Sequence, residues 1–171
     1  MAAWLVSEAS GLGIVPPTVL RDGPFGPGML QLWIDVDPEA DPLMLVLTRD
    51  PRLRSISLLD LVLNNADRKG GHLLPTESGP ILGCDHGICF AAEPKLRTVL
   101  WGWSTEPFED ADRSALAAIG NGLDGDLGAR LGRLLSAAEV DATRRRLDAL
   151  IRLDRFPAAD RGRRVIPWPP F

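Results

Sequence analysis

A run of apolar residues followed at once by a dense polar stretch constrains this chain more than any other feature. Residues 56–63 read "ISLLDLVL", and residues 64–72 read "NNADRKGGH". Apolar residues recur at spacings of three and four from Leu53 to Leu63, which predicts a helix over residues 51–63 with one buried face. The polar stretch is then a loop that directly follows a buried helix.

The segments around this pair predict a mixed α+β fold in a single domain, since a chain of 171 residues has enough material for one core. After a short initial helix come two strands, at 13–22 and 29–36, which a Pro-Gly turn joins as a hairpin. Two short strands follow the polar loop, whereas residues 37–50 fit either a loop or a short apolar element. The remainder is helical, and its last helix begins with a capping box formed by Ser136 and Glu139. The apolar residues expected on the buried face of that helix are Val140, Leu147, Leu150 and Ile151.

Composition and charge argue against nucleic-acid binding, a membrane span and secretion. The net charge of −4 gives no electrostatic basis for nucleic-acid binding, and no apolar run reaches the ~18–20 residues of a membrane span. The N-terminus lacks the basic and apolar segments of a signal peptide, and two cysteines do not make a disulfide framework. We therefore expect a cytoplasmic protein. Cys84, His86 and Cys89 lack the spacing of a strong zinc site.

The candidate chemistry lies between residues 64 and 90. Asp67 is in the polar loop, His72 follows five residues later, and Asp85 comes after the predicted short hairpin. Gly87, two residues beyond Asp85, permits a sharp backbone turn. Kinases use this layout: a loop Asp orients the attacking hydroxyl, and an Asp in an Asp-x-Gly turn holds Mg²⁺ on the nucleotide phosphates. Taken singly, the two aspartates also fit solvated turns, and His72 fits a loop histidine bonded to the backbone.

The motifs "NNADRKGGH" and "GCDHGICF" resemble those of the phosphatidylinositol 3-/4-kinase-like family, in its small actinobacterial branch. The similarity extends to "VPPTVLRDGPFGPGMLQLWI", which resembles the strand pair before the hinge, to "AAEPKLRTVLWGW", which resembles the activation segment, and to "IPWPPF". The resemblance implies a protein-kinase-like α+β fold over residues 1–171. Residues 1–36 would be a remnant β-hairpin of the N-lobe with the hinge, and residues 37–171 the helical C-lobe.

The resemblance also implies a role for each residue of the motifs, with ATP and Mg²⁺ as cofactors. Asp67 would be the catalytic aspartate, supported by Arg68, and Lys69 would reach a phosphate. Asp85 would be the Mg²⁺ ligand. His72 stands where most kinases have Asn, and since Mg²⁺ prefers oxygen, we expect it to contact the metal site, a phosphate or the loop. The residues implied at the adenine edge are Gln31, Leu32 and Trp33.

The chain departs from the family in lacking an N-lobe lysine, which kinases use to hold the phosphates. Its lysines are Lys69, in the polar loop, and Lys95, after the metal turn. The family also has a Glu on the helix just before the Ala-Ala pair. Here Met1 stands in its place, and Glu8 lies too far along the first helix to replace it. We therefore expect a truncated N-lobe, no activity from the 171 residues alone, and self-association through an exposed strand edge.

Two functions follow from these expectations. The first is ATP-dependent transfer of a phosphoryl group to an unknown hydroxyl-bearing substrate, which the sequence does not identify as a lipid, a protein or a small molecule. The alternative is a catalytically dead kinase-like module that binds a nucleotide or serves as a scaffold.

Overall fold

The computed structural model describes residues 1–77, 79–160 and 162–171, and within these ranges the fold is α+β, as predicted. The helices are α1 (Ala2–Ala9), α2 (Pro42–Leu47), α3 (Arg54–Leu63), α4 (Asp110–Leu123), α5 (Asp126–Leu131) and α6 (Ala137–Leu153). The strands are β1 (Thr18–Gly23), β2 (Gly26–Gln31), β3 (Leu73–Pro75) and β4 (Ile81–Gly83). Short 3₁₀ turns lie at Pro51–Leu53, Gly70–His72 and Trp101–Trp103. In these ranges no helix is both long enough and apolar enough to cross a membrane.

Helix α3 is the centre of the core, which confirms the helix predicted from the apolar spacing. Every residue from Ile56 to Leu63 is buried, so the helix is enclosed on all sides rather than on one face. It packs against α6 and against the turn at Trp101–Trp103. The helix ends at Asn64, whose left-handed backbone (φ 53°) turns the chain sharply into the polar loop.

The C-terminal helices form a layer around α3. Helix α4 packs against α5 and α6, and α1 packs against α4 and α5. The predicted capping box is confirmed, because the Ser136 hydroxyl accepts from the Glu139 amide while the Glu139 carboxylate accepts from the Ser136 amide. The predicted buried face is confirmed in part. Leu147 and Leu150 are buried, whereas Ile151 is 47% exposed.

The first hairpin is confirmed, but it is shorter than the sequence predicts. Strands β1 and β2 are antiparallel, and Gly23 pairs with Gly26 across a tip made of Pro24 and Phe25. The second strand ends at Gln31, five residues earlier than expected. Except at the ends nearest the core, both strands are exposed.

The ambiguous segment 37–50 contains α2, a helix of six apolar residues with no buried residue among them. Asp41 caps its start by accepting from the Leu43 amide at 2.8 Å, and Pro42 occupies the first helical position. Helix α2 lies beside the 3₁₀ turn at Gly70–His72 and so forms one wall of the polar loop.

Candidate active site

Strands β3 and β4 bring the two halves of the candidate site together. Their antiparallel register pairs Leu73 with Gly83, so the residues just outside the pair, His72 and Cys84, are also neighbours. The Cys84 amide donates to the His72 carbonyl at 3.0 Å. Asp85 follows directly, and the hairpin therefore places it beside His72 although 13 positions separate the two in the sequence.

Asp67, Lys69, His72 and Asp85 form one continuous polar cluster. Lys69 Nζ lies 3.4 Å from Asp67 Oδ2, and His72 Nε2 lies 3.4 Å from Asp85 Oδ2. The Lys69 amide donates to His72 Nδ1 at 3.4 Å, which joins the two pairs. One lysine and one histidine thus connect two carboxylates that come from different loops.

The imidazole of His72 is neutral near pH 7. Burial lowers its pKa, and the Asp85 carboxylate, which acts in the opposite direction, does not outweigh this. Because Nδ1 accepts from the Lys69 amide, the proton of the neutral ring is on Nε2 and faces Asp85. His72 therefore lies beside the Asp85 carboxylate as a neutral ring.

The backbone at Asp85 is held in an unusual conformation. Asp85 has φ of 52°, in the left-handed region that residues with a side chain rarely adopt. Its carboxylate is 59% exposed. Non-glycine residues kept in this region concentrate at functional sites, where surrounding contacts hold them in place.

A buried ion pair joins the polar loop to α3. The side chains of Asp60 and Arg68 are both 0% exposed, and the closest contact is 3.0 Å, between Arg68 Nη2 and Asp60 Oδ1. Asn65 Nδ2 and Thr98 Oγ1 also donate to the Asp60 carboxylate, at 2.9 and 3.1 Å. Burial alone would lower the pKa of Arg68, but the adjacent Asp60 carboxylate more than compensates and raises it. Arg68 is therefore charged inside the core, with Asp60 as its partner.

Arg68 also reaches the turn at residues 84–87. Its Nη1 donates to the Cys84 carbonyl at 2.7 Å, and its Nη2 lies 2.7 Å from His86 Nε2. A Cβ atom at Gly83 would come within 3.3 Å of Nη2, so this glycine leaves space for the guanidinium. Arg68 is fully enclosed and contacts both loops from the core side. That it supports the catalytic aspartate stays a prediction.

The C-terminal segment of the chain packs against the polar loop. The Gly70 amide donates to the Pro170 carbonyl at 2.8 Å, and the Phe171 ring lies directly over the Gly70 Cα. Val165 accepts two bonds at 3.0 Å, from the Thr98 amide and from the indole N–H of Trp101. The C-terminal segment is therefore part of the site's scaffold.

The predicted adenine-edge residues separate in the structure. Gln31 lines a cavity of about 500 Å³ that also borders Asp85, and its side-chain amide donates to Thr18 Oγ1 at 2.9 Å. Leu32 and Trp33 lie past the end of β2, are 58% and 84% exposed, and do not line this cavity. Of the three residues, Gln31 is thus the one that shares a concave surface with Asp85.

The donor set at the turn fits Mg²⁺ with Asp85 as its carboxylate ligand. Mg²⁺ in nucleotide sites is held by one or two carboxylates, and phosphates and water complete the shell. The role of His72 as a second ligand stays a prediction: its Nε2 lies 3.4 Å from Asp85 Oδ2, and its Nδ1 accepts from the Lys69 amide. Across residues 1–77, 79–160 and 162–171, no group of three or more His, Cys, Asp or Glu side chains is placed to hold a metal. A nucleotide would therefore have to supply part of the coordination.

Sequence reasoning missed Asp60. This residue is the acceptor for three side chains that organise the site, yet it lies inside the apolar run at 56–63. One sequence signal could have identified it: Asp60 is the one charged residue within the apolar run 56–63. A carboxylate on a buried helix needs a charged or strongly donating partner.

Comparison with known proteins gave two relatives, and no protein-family model matches the chain. Protein Rv2133c of Mycobacterium tuberculosis (strain ATCC 25618 / H37Rv) is 38% identical over 206 aligned positions, which cover 100% of this chain and 74% of that protein. Phosphatidylinositol 4-kinase gamma 4 of Oryza sativa subsp. japonica is 28% identical over 129 positions, which cover 70% of this chain but 23% of the rice protein.

Proposed function

The chain belongs to the family of the mycobacterial protein Rv2133c, and from its partial similarity to a phosphatidylinositol 4-kinase and the geometry of its site we propose that it is a kinase-like phosphotransferase. It would transfer the γ-phosphoryl group of ATP to a hydroxyl. In this proposal residues 37–171 correspond to the helical lobe of a kinase, and residues 1–36 to part of the other lobe and the hinge.

The observation that carries the proposal is the cluster that contains Asp67 and Asp85. Kinases place one carboxylate at the attacking hydroxyl and another at the metal-bound phosphates. Here the two carboxylates come from different loops and are linked through Lys69 and His72, with spacings of 3.4 Å. The buried pair of Asp60 and Arg68 holds both loops from the core side.

Each residue then has a defined part in the transfer. Asp67 orients the acceptor hydroxyl and takes its proton as the oxygen–phosphorus bond forms and the bond to the β-phosphate breaks, which leaves ADP. Lys69 is the cation beside Asp67 that is available to a phosphate oxygen. His72 Nε2, 3.4 Å from Asp85 Oδ2, is the nearest ring nitrogen to the proposed metal ligand. When bound, Mg²⁺ supplies charge neutralisation at the phosphates.

A second function, nucleotide binding without turnover, is favoured by the small number of lysines. The sequence has two. Lys69 Nζ faces Asp67, and Lys95 Nζ lies 3.7 Å from Glu93 at the exposed surface. Neither lines the cavity beside Asp85. In kinases a separate lysine contacts the α- and β-phosphates. In this chain Lys69 would have to contact those phosphates as well as the transferred one.

Calorimetric titration with Mg·ATP, followed by measurement of ADP release, tests both functions. We expect Asp85→Asn to weaken Mg·ATP binding at least tenfold, because it removes the anion that faces the metal. Asp67→Asn should leave binding unchanged and lower any turnover about a hundredfold. The matched control is Asp148→Asn, on the exposed side of α6.

The outcomes separate the two functions. Turnover that depends on Asp67 supports the phosphotransferase. Binding that depends on Asp85, with no turnover above the Asp67→Asn level, supports the binding module. Mg·ATP binding that is identical in the parent chain, Asp85→Asn and Asp148→Asn contradicts both.

A further inference from the structure

Two adjacent arginines on α6 have no carboxylate partner. Arg144, the residue before them, pairs with Asp124, but the described residues offer no carboxylate to the guanidinium of Arg145 or of Arg146. Arg145 is exposed, whereas Arg146 is half-buried and contacts both the end of α3 and the segment 91–95. The two arginines line one groove of about 250 Å³, and its other lining residues are Ala92, Pro94, Ala142 and Ala149.

Three hydrogen bonds to neutral groups hold the Arg146 guanidinium in place. Its Nε donates to the Val62 carbonyl at 3.1 Å, its Nη1 to the Ala91 carbonyl at 3.0 Å and its Nη2 to Thr143 Oγ1 at 2.8 Å. A guanidinium has five N–H donors, so two of them have no acceptor among the described residues. Burial, with the adjacent Arg145 charge, lowers the pKa of Arg146 to about 10. The positive charge of Arg146 is therefore held at a cost that an anion would offset.

The segment 91–95, which forms the wall of the groove opposite α6, is fixed by Asn64. The Asn64 Nδ2 donates to the carbonyls of Ala91 and Glu93 at 2.9 and 2.8 Å. Its Oδ1 accepts from the Lys95 amide at 2.9 Å. Because these bonds hold the wall before any ligand arrives, little conformational entropy is lost when the groove is filled.

Acidic side chains beside this wall already pair with other cations. Glu93 Oε2 lies 3.7 Å from Lys95 Nζ, and Asp160 Oδ2 lies 3.6 Å from Arg163 Nε. The Arg163 guanidinium also donates to the carbonyl of Pro94, a lining residue, and so adds a cation at the rim. The groove is thus a positively charged site on a chain whose net charge is −4.

The lining and the size of the groove define the ligand. Apart from the two arginines, its side chains are those of alanine and proline, which offer no hydrogen-bond donor or acceptor. The volume is below the ~300–1,000 Å³ of sites for drug-sized molecules, so the ligand is compact. A phosphate monoester carries a charge of about −1.5 to −2 at pH 7, and its oxygens accept from guanidinium groups, so one such group balances both arginines.

We propose that the groove between α6 and the segment 91–95 binds a phosphate group, either inorganic phosphate or a small phosphate ester, which accepts hydrogen bonds from Arg145 and Arg146. The groove contains none of Asp67, Lys69 and Asp85. The site is therefore separate from the one in the proposed function, and its occupation does not depend on whether the chain transfers phosphate.

NMR titration of the full chain with sodium phosphate, and separately with glycerol 3-phosphate, tests the proposal. We expect the amide signals of Ala92 and Lys95 and the Nε–H signal of Arg146 to shift along one saturable curve. Sodium chloride at the same ionic strength should not reproduce this curve, because salt screening needs no groove. Tighter binding of glycerol 3-phosphate would identify an ester as the ligand, and tighter binding of phosphate would identify the free ion.

Arg145→Gln removes one cation and leaves the three bonds of Arg146 intact. It should weaken phosphate binding at least tenfold, the factor expected for one charge-assisted hydrogen bond. The matched control is Arg133→Gln, which removes an exposed arginine in the connection between α5 and α6 and should bind phosphate as the parent chain does.

A second pair of variants changes the groove itself. Ala149 is exposed, so substitutions there keep the fold. Ala149→Glu places a carboxylate one helical turn after Arg145 and should abolish phosphate binding, whereas the neutral Ala149→Gln should weaken it less. Phosphate binding that is equal in Arg145→Gln, Ala149→Glu and Arg133→Gln would overturn the proposal, as would phosphate-induced shifts confined to the loop that contains Lys69.

Discussion

Replacement of Asp60 by asparagine tests the buried network directly. The change keeps the size of the side chain but leaves the Arg68 guanidinium charged inside the core without its counterion. Both side chains are 0% exposed, so solvent cannot screen the loss. Breaking one partner of a fully buried ion pair costs about 3–5 kcal/mol. We therefore expect the free energy of unfolding to fall by that amount.

The size of the effect makes it easy to measure. For a chain of 171 residues, an unfolding entropy of about 2.1 cal/mol/K per residue converts this loss into a fall in Tm of roughly 8–14 °C. Urea unfolding followed by circular dichroism should give a lower midpoint with an unchanged slope. Asp148→Asn is the control, since this exposed aspartate should change stability by less than about 0.5 kcal/mol. A loss below about 1 kcal/mol for Asp60→Asn would show that the ion pair does not anchor the loops.

Three further predictions concern the pH response, the C-terminal segment and α6. The pKa of His86 is lowered to about 3, so the unfolded chain binds the proton first, and the stability from the neutral ring is present above pH ~6.5 and lost as the pH falls toward 3. The pKa difference corresponds to a loss of stability on the order of 5 kcal/mol over this range, which His86→Gln should abolish; urea unfolding at each pH measures it, and parallel pH curves for the two proteins would contradict this. Gly70→Ala should raise hydrogen exchange at the residue 70 amide, because the new Cβ would lie 2.0 Å from Phe171 Cδ1, whereas Gly71→Ala, into open space, should not. Ser136→Ala should cost about 1 kcal/mol through the lost cap, and Ser114→Ala on the exposed face of α4 should cost nothing; equal effects would refute the capping role.

Local signals in the sequence predicted the elements that local physics controls. The spacing of apolar residues predicted α3, the short apolar runs predicted β3 and β4, and the pair Ser136 and Glu139 predicted the start of α6. Each of these rests on residues within a few positions of one another. The sequence also predicted the short hairpin that places His72 beside Asp85, because two short strands joined by a turn pair in antiparallel register.

The features that sequence reasoning missed depend on contacts between distant segments. The residues next to Arg68 in the sequence do not predict its burial. Arg68 is enclosed because Asp60, Cys84 and His86 surround it. The adenine-edge role that the resemblance implies for Leu32 and Trp33 stays a prediction, and both residues are exposed. Helix α2 carries a clear starting signal in Asp41 and Pro42, but its apolar sequence has no polar face from which to recognise a surface helix.

The network around Asp60 has a consequence for how relatives of this chain diverge. A substitution at position 60 alone leaves a buried cation, and a substitution at position 68 alone leaves a buried anion, so selection should remove both single changes. We expect these two positions to covary among homologues, with Thr98 following them, because its hydroxyl donates to the same carboxylate. Asp67 and Asp85 belong to a cluster that solvent reaches, and they should instead be lost independently in any lineage that abandons the chemistry while keeping the fold.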